Sequence, residues 1–196
     1  MATTRTSSPA ADIALIAVFA ALIAAFALTP AIPIGAAAVP LTLQTLAVVL
    51  TGLVLGAWRG FLATLLYVVV GLAGLPVFAG GAAGLGVLAG PTAGYLLSFP
   101  LGAAVAGAVA GYCLRRGFRA RYLWLVVAGL ACTVVVTSLG IVGMMLTIPW
   151  PLPKAFAAAL LYLPGDVVKV FAASGIAVAV HKAFPVLLAA PDPRLA

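Results

Sequence analysis

Asp166 and Lys169 are the residues of this chain best placed to do chemistry. They stand three positions apart, hence on one face of a helix, in a stretch that is otherwise apolar. Pro164 and Gly165 precede them, so the spacing predicts a helix that starts here with Asp166 in its first turn, where the helix dipole favours a carboxylate. An unpaired Asp or Lys within a bilayer costs at least about 2.5–3.5 kcal/mol, so such residues face a bundle interior and are functional by default. The pair has two readings. It is a structural ion pair that holds the helix start, or it sets an acceptor beside a donor for a polar, uncharged ligand group.

Other constellations are weaker. Ala173-Ser174-Gly175 resembles the setting of an intramembrane serine nucleophile, and His181 is the sole histidine. Seven residues on one helix part them by about 10 Å, beyond hydrogen-bond reach, so the packing reading of Ser174 and an interfacial reading of His181 are preferred. Gly84, Gly86 and Gly90 have the wrong spacing for a dinucleotide fingerprint, and no P-loop is present. Cys113 and Cys132 sit in apolar runs without metal-ligand spacing and read as small buried hydrophobes. The expectation is no metal, no cofactor and no enzyme.

The elements that must position these residues follow from composition. Of 196 residues, 66% are hydrophobic and 7% charged, with three acids, all Asp, and a net charge of +7; mean hydropathy is +1.32. A soluble domain carries about 25% charged residues, so this composition excludes a soluble globular protein and a disordered chain. The fold class expected is all-α, a polytopic bundle of six transmembrane helices. Runs near 20 apolar residues cover Ile13 to Leu28, Pro40 to Leu55, Gly60 to Val77, Gly94 to Leu114, Tyr122 to Ile148 and Asp166 to Leu187. The runs are continuous, so β-barrel alternation fails. Residues 1–11 read as an N-terminal tail, 12–188 as one transmembrane domain and 189–196 as a C-terminal tail.

Charge orients the bundle. Eight of the ten Lys and Arg residues fall in the tails and two alternate loops, Lys154 lies on the other side, and Lys169 sits within the last span. The positive-inside rule then puts both termini in the cytoplasm, and nucleic-acid binding is excluded because no basic face lies on a water-exposed domain. Trp58, Trp124 and Trp150 fall near span ends, as an interfacial belt requires. Three segments face outward: Thr29 to Val39, which leads into Thr42, Gln44 and Thr45; Gly71 to Ala93; and Pro149 to Gly165. The second is long, apolar and Gly-rich, which predicts a lid folded back on the bundle, with a flexible surface loop as the alternative. Ala17, Ala21 and Ala25 form a small-residue row on the first span, which lets another helix approach closely.

Three motifs stand in order: Pro40-Leu41-Thr42-Leu43-Gln44-Thr45, Gly74-Leu75-Pro76-Val77-Phe78-Ala79-Gly80-Gly81, and Gly90-Pro91-Thr92-Ala93-Gly94-Tyr95. Pro164-Gly165-Asp166 with Lys169 follows in the last span. Together they resemble the BioY family, the biotin-specific substrate-binding subunits (S-components) of energy-coupling-factor (ECF) vitamin transporters, over most of the chain. Ala93 departs from that pattern, which has a second glycine there. The resemblance implies six helices, high-affinity biotin binding and uptake across the bacterial cytoplasmic (inner) membrane. It also implies assembly with a transmembrane coupling protein and two cytoplasmic ATPases, docked on the Ala17, Ala21, Ala25 face, or a homo-oligomer acting alone. Biotin sites would then be Asp166 on a ureido N–H and Lys169 on the ureido carbonyl, or Lys169 on the carboxylate. Thr42, Gln44, Tyr95 and the N–H groups near Gly80 and Gly81 would orient the rest, and Phe78 would pack on the rings. Two alternatives are a proton-coupled transporter with Asp166 as the proton site and an intramembrane hydrolase using Ser174.

Overall fold

The computed structural model describes residues 8–33, 40–116 and 120–184. Helix α1 spans Pro9–Ala27, capped by Ser8, whose Oγ accepts the Ala11 N–H at 3.3 Å. The helix thus starts inside the stretch expected to be tail. Asp12 in its first turn meets Arg59 Nη2 at 2.8 Å.

Helix α2 spans Gln44–Leu72, and Gly56 breaks it with φ +80°. A straight helix of this length would put Gln44 about 34 Å from Tyr67, yet their side chains hydrogen-bond at 2.7 Å. A Cβ on Gly60 would also lie 3.1 Å from the Gly52 Cα. The chain therefore turns back at Gly56, and arms 44–55 and 57–72 form a helical hairpin. These arms are the second and third expected spans. The first arm is only about 18 Å long, short of the ~30 Å hydrocarbon layer. The extended pair Ile32–Pro33 (β1) and Pro40–Leu41 (β2), antiparallel with Ile32 opposite Leu41, continues from it. With no side chain within 4 Å of a Cβ at Gly56, Gly56→Ala meets only backbone strain. A loss of about 1–2 kcal/mol is expected, read as a drop of roughly 2–8 °C in Tm in a detergent melt.

Residues 73–92 form a cap with two short 3-10 turns, Ala79–Gly81 and Leu85–Ala89. Then come α3 (Ala93–Arg115), α4 (Arg121–Thr147), the short α5 (Leu152–Leu160) and α6 (Leu163–Ala183). The outward segment expected from Pro149 to Gly165 is thus largely helical. The expected end of the last span at Leu187 and the tail 189–196 lie outside the described residues.

Helix α3 packs against α2 on one side and α4 on the other, α1 docks on α2, and α6 closes between α2 and α4. Glycine permits a close crossing: a Cβ on Gly94 would lie 2.7 Å from the Gly143 Cα, so α3 and α4 touch backbone to backbone just where Tyr95 must be placed. Among the described residues, five helices are long and apolar enough to cross a membrane, and with α2 folded in two the bundle has six segments there. One end carries Arg59, Arg115, Arg116, Arg121 and Lys182. The other carries the cap, α5 and Lys154, whose ammonium lies 4.3 Å from the Trp150 ring centre.

Candidate ligand-binding site

A cavity of about 300 Å³ lies at the capped end, between the starts of α2, α3 and α6 and beneath the cap. Its volume is at the compact end of the ~300–1,000 Å³ usual for small-molecule sites. Of the eight residues expected at the site, Thr42, Gln44, Phe78, Tyr95, Asp166 and Lys169 all line it.

Its polar wall is a triangle. Lys169 Nζ donates to Asp166 Oδ1 at 2.9 Å and to Thr45 Oγ1 at 3.0 Å, and Thr45 Oγ1 donates to the same Oδ1 at 2.9 Å. An ammonium has three N–H groups; one is left. All carboxylate bonds converge on Oδ1, so Oδ2 is left as well. Side-chain exposure of 9% at Lys169 and 17% at Asp166 keeps both out of bulk water, where charge-assisted hydrogen bonds are roughly twice as strong as neutral ones. The ion pair is therefore real, and it still offers one acceptor and one donor side by side. The structural and the ligand readings of this pair are compatible.

Tyr95 adds a third polar group. Its hydroxyl is buried and makes no hydrogen bond among the described residues, and its ring lies against Gly140 of α4, where any Cβ would collide with it. Because the hydroxyl holds nothing in the protein, Tyr95→Phe should leave the melting temperature within a few degrees. Ligand affinity should fall about 5–10-fold, the worth of one hydrogen bond, measured by equilibrium binding. The apolar wall is Phe78, Val87, Leu96 and Phe99.

Phe78 reaches the cavity from the cap and is 3% exposed. Its ring fills the space a side chain at Gly71 would occupy and stands edge-on to Tyr67, centroids 5.5 Å apart. Gly80 and Gly81 do not line the cavity; Ala79 and Ala82 do. The Gly81 N–H donates to the Phe78 carbonyl at 2.9 Å, so it is not turned to a ligand. At φ +69° and +76° these glycines make the turn that aims Phe78 inward.

Three contributors were missed as site residues: Thr45, Tyr162 and Tyr67. Thr45 was legible as part of a Thr42, Gln44, Thr45 cluster at one helix start. Tyr162 lines the cavity just ahead of α6, and burial pushes its phenol above the usual tyrosine range, which keeps it neutral. Tyr67 sits in an apolar run with no local signal. His181, in the last turn of α6, is 9% exposed and faces the backbone of Leu53 and Val54. Ser174 is fully buried, and neither lines the cavity. Both cysteines are buried and free. Ala17, Ala21 and Ala25 are all exposed along α1, while Ala20, Ile23 and Ala27 of the same helix face the core.

A multi-pass helical bundle with a mixed polar and apolar pocket under a seated cap defines a membrane protein that takes up a small molecule. Comparison with known proteins gives the family: the chain belongs to the BioY family, matched over residues 1–186, a transporter family and not an enzyme family. The biotin transporter BioY of Rhizobium etli is 36% identical over 90% of this chain and 96% of its own length. The biotin transporter BioY of Rhodobacter capsulatus is 40% identical over 81% of this chain and 87% of its own. The fold matches a crystal structure of the S-component for biotin from an ECF-type ABC transporter with a TM-score of 0.83, covering 93% of this chain and 95% of that one at 23% identity.

Proposed function

We propose that this chain is the substrate-specific subunit for biotin uptake, and that the cavity beneath the cap is the biotin site. The observation that carries the reading is the Thr45–Asp166–Lys169 triangle, which leaves an acceptor and a donor adjacent in a pocket whose other wall is aromatic and aliphatic. Biotin's ureido ring presents N–H donors beside a carbonyl acceptor, and its rings and chain are apolar. Asp166 Oδ2 accepts a ureido N–H, and Lys169 donates to the ureido carbonyl. Phe78 and Phe99 pack on the rings, and Tyr95, Thr42 and Gln44 supply the other polar contacts that orient the ligand.

The capped end faces outward and the Arg-rich end faces the cytoplasm of the bacterial inner membrane, with both termini inside. Biotin enters from outside, the cap closes over it, and the loaded bundle presents it inward. No chemistry is done on the substrate. The driving energy comes from a transmembrane coupling protein with two cytoplasmic ATPases, seated on the exposed row Ala17, Ala21 and Ala25, where small residues allow close helix approach. A homo-oligomer acting alone is the other arrangement of partners. The proton-coupled and hydrolase readings have no observation in their favour: Asp166 is ion-paired, and Ser174 and His181 do not meet the cavity.

Radiolabelled biotin tests this on two levels. Purified protein should bind it, and cells carrying the complete transporter should accumulate it. Ala21→Leu should abolish accumulation, by tenfold or more, while biotin binding to the purified protein is unchanged. Loss of both together, or of neither, would count against a docking role for this face.

A further inference from the structure

Tyr67 lies behind the cavity wall, 2% exposed, and joins two parts of the site. Gln44 Nε2 donates to its hydroxyl oxygen at 2.7 Å. The Tyr67 hydroxyl in turn lies 3.2 Å from the backbone carbonyl of Val77 in the cap. The direction of this relay is forced by donor chemistry. A carbonyl can only accept, so the single phenolic proton goes to Val77. The phenolic oxygen must then accept from Gln44, and only the amide nitrogen can supply that proton. Gln44 lines the cavity; one of its two Nε2 N–H groups is held by Tyr67, and Oε1, which no protein donor meets among the described residues, is the acceptor it offers to a ligand.

We infer that Tyr67 is a positioning residue for ligand specificity: by fixing the Gln44 amide with Oε1 toward the cavity, it makes that wall select ligands that present an N–H there. The inference deepens the biotin reading and rests on it. With Asp166 Oδ2 the site then holds two acceptors for the two ureido N–H groups and one ammonium donor for the carbonyl between them. The same relay runs through Val77, next to Phe78, so the orientation of Gln44 and the seating of the cap are set by one hydroxyl. Nothing in the local sequence marks this role, because Tyr67 is reached from Gln44 only once the α2 hairpin has closed.

The test compares biotin with its two cyclic carbamate analogues, in each of which one ureido N–H is replaced by a ring oxygen. An acceptor facing an acceptor is strongly disfavoured in a buried site. The wild-type protein should bind one or both analogues at least about 100-fold more weakly than biotin. Tyr67→Phe keeps the ring beside Phe78 but releases the amide, which can then turn its NH₂ to the ring oxygen. The analogue-to-biotin ratio of dissociation constants should fall to about tenfold or less for the isomer that meets Gln44. A purely structural role would weaken all three ligands alike and leave the ratios unchanged, and that result overturns the inference. Gln44→Met, which removes the amide but leaves the Tyr67–Val77 hydrogen bond in place, should lower the same ratio, and its failure to do so overturns the inference even where Tyr67→Phe does not fold. Unchanged ratios with tight biotin binding discard the relay alone. A wild-type protein that does not bind biotin discards the underlying reading and the relay with it.

Discussion

Asp166→Asn should weaken biotin binding by about 100-fold while leaving a folded bundle. The substitution keeps the shape of the side chain and changes its charge. In the native site Asp166 Oδ1 takes hydrogen bonds from both Lys169 and Thr45 at 2.9 Å, and the ion pair lets a buried ammonium exist at 9% side-chain exposure. With asparagine, Lys169 keeps only Thr45 and the amide oxygen as neutral partners, and a buried charge left without its counter-ion costs roughly 3–5 kcal/mol. The ligand also loses a charge-assisted hydrogen bond of about 1.5–3 kcal/mol. Lys169→Met should be nearly as damaging to binding, and the double variant should be much less than additive, because either change alone strands the partner. Isothermal titration of biotin into the three variants reads this directly. Additive losses would mean that the two residues act separately.

Gly71→Ala is expected to unseat the cap. The methyl group would run into three atoms of the Phe78 ring, which is held edge-on to Tyr67 and is almost fully buried. A rigid ring cannot yield by rotating a flexible end, so Phe78 must leave its hole, and the cap segment on either side moves with it. Overpacking of this kind costs typically about 1–3 kcal/mol. Here it opens the aromatic wall of the pocket, so biotin should dissociate tenfold or more faster. Protease cleavage near the exposed Gly80–Gly81 turn should accelerate in parallel. Adding Phe78→Leu to Gly71→Ala relieves the collision and should recover part of the lost residence time. A double variant no better than Gly71→Ala would show that the ring and the glycine are not the fitted pair described.

Much of this architecture could be read from residue types alone. Scarcity of charge made Asp166 and Lys169 conspicuous, and their spacing put them on one helix face, where they are found at 2.9 Å. The hairpin at Gly56 was legible as two apolar runs with Arg59 between them, although not the left-handed glycine that makes the turn. Pairings between distant segments were not legible. Thr45 and Asp166 are 121 residues apart and Gln44 and Tyr67 are 23 apart, so no local pattern records either contact. Gly80 and Gly81 were read as ligand-facing because glycine backbone can approach a ligand closely. Glycine serves equally to turn a chain, and here it turns Phe78 into the pocket. Lys182 beside His181 marks a helix end in the sequence, but nothing local tells that the backbone of the α2 hairpin covers the histidine.

The central claim is that this cavity holds biotin through Asp166 and Lys169. Native mass spectrometry of the purified protein, titrated with biotin at micromolar concentration, tests it most directly. A one-to-one biotin adduct is expected on the wild-type chain, and it should be lost at the same concentration from the Asp166→Asn, Lys169→Met double variant. A wild-type spectrum without the adduct, or an adduct of equal abundance on the double variant, would contradict it.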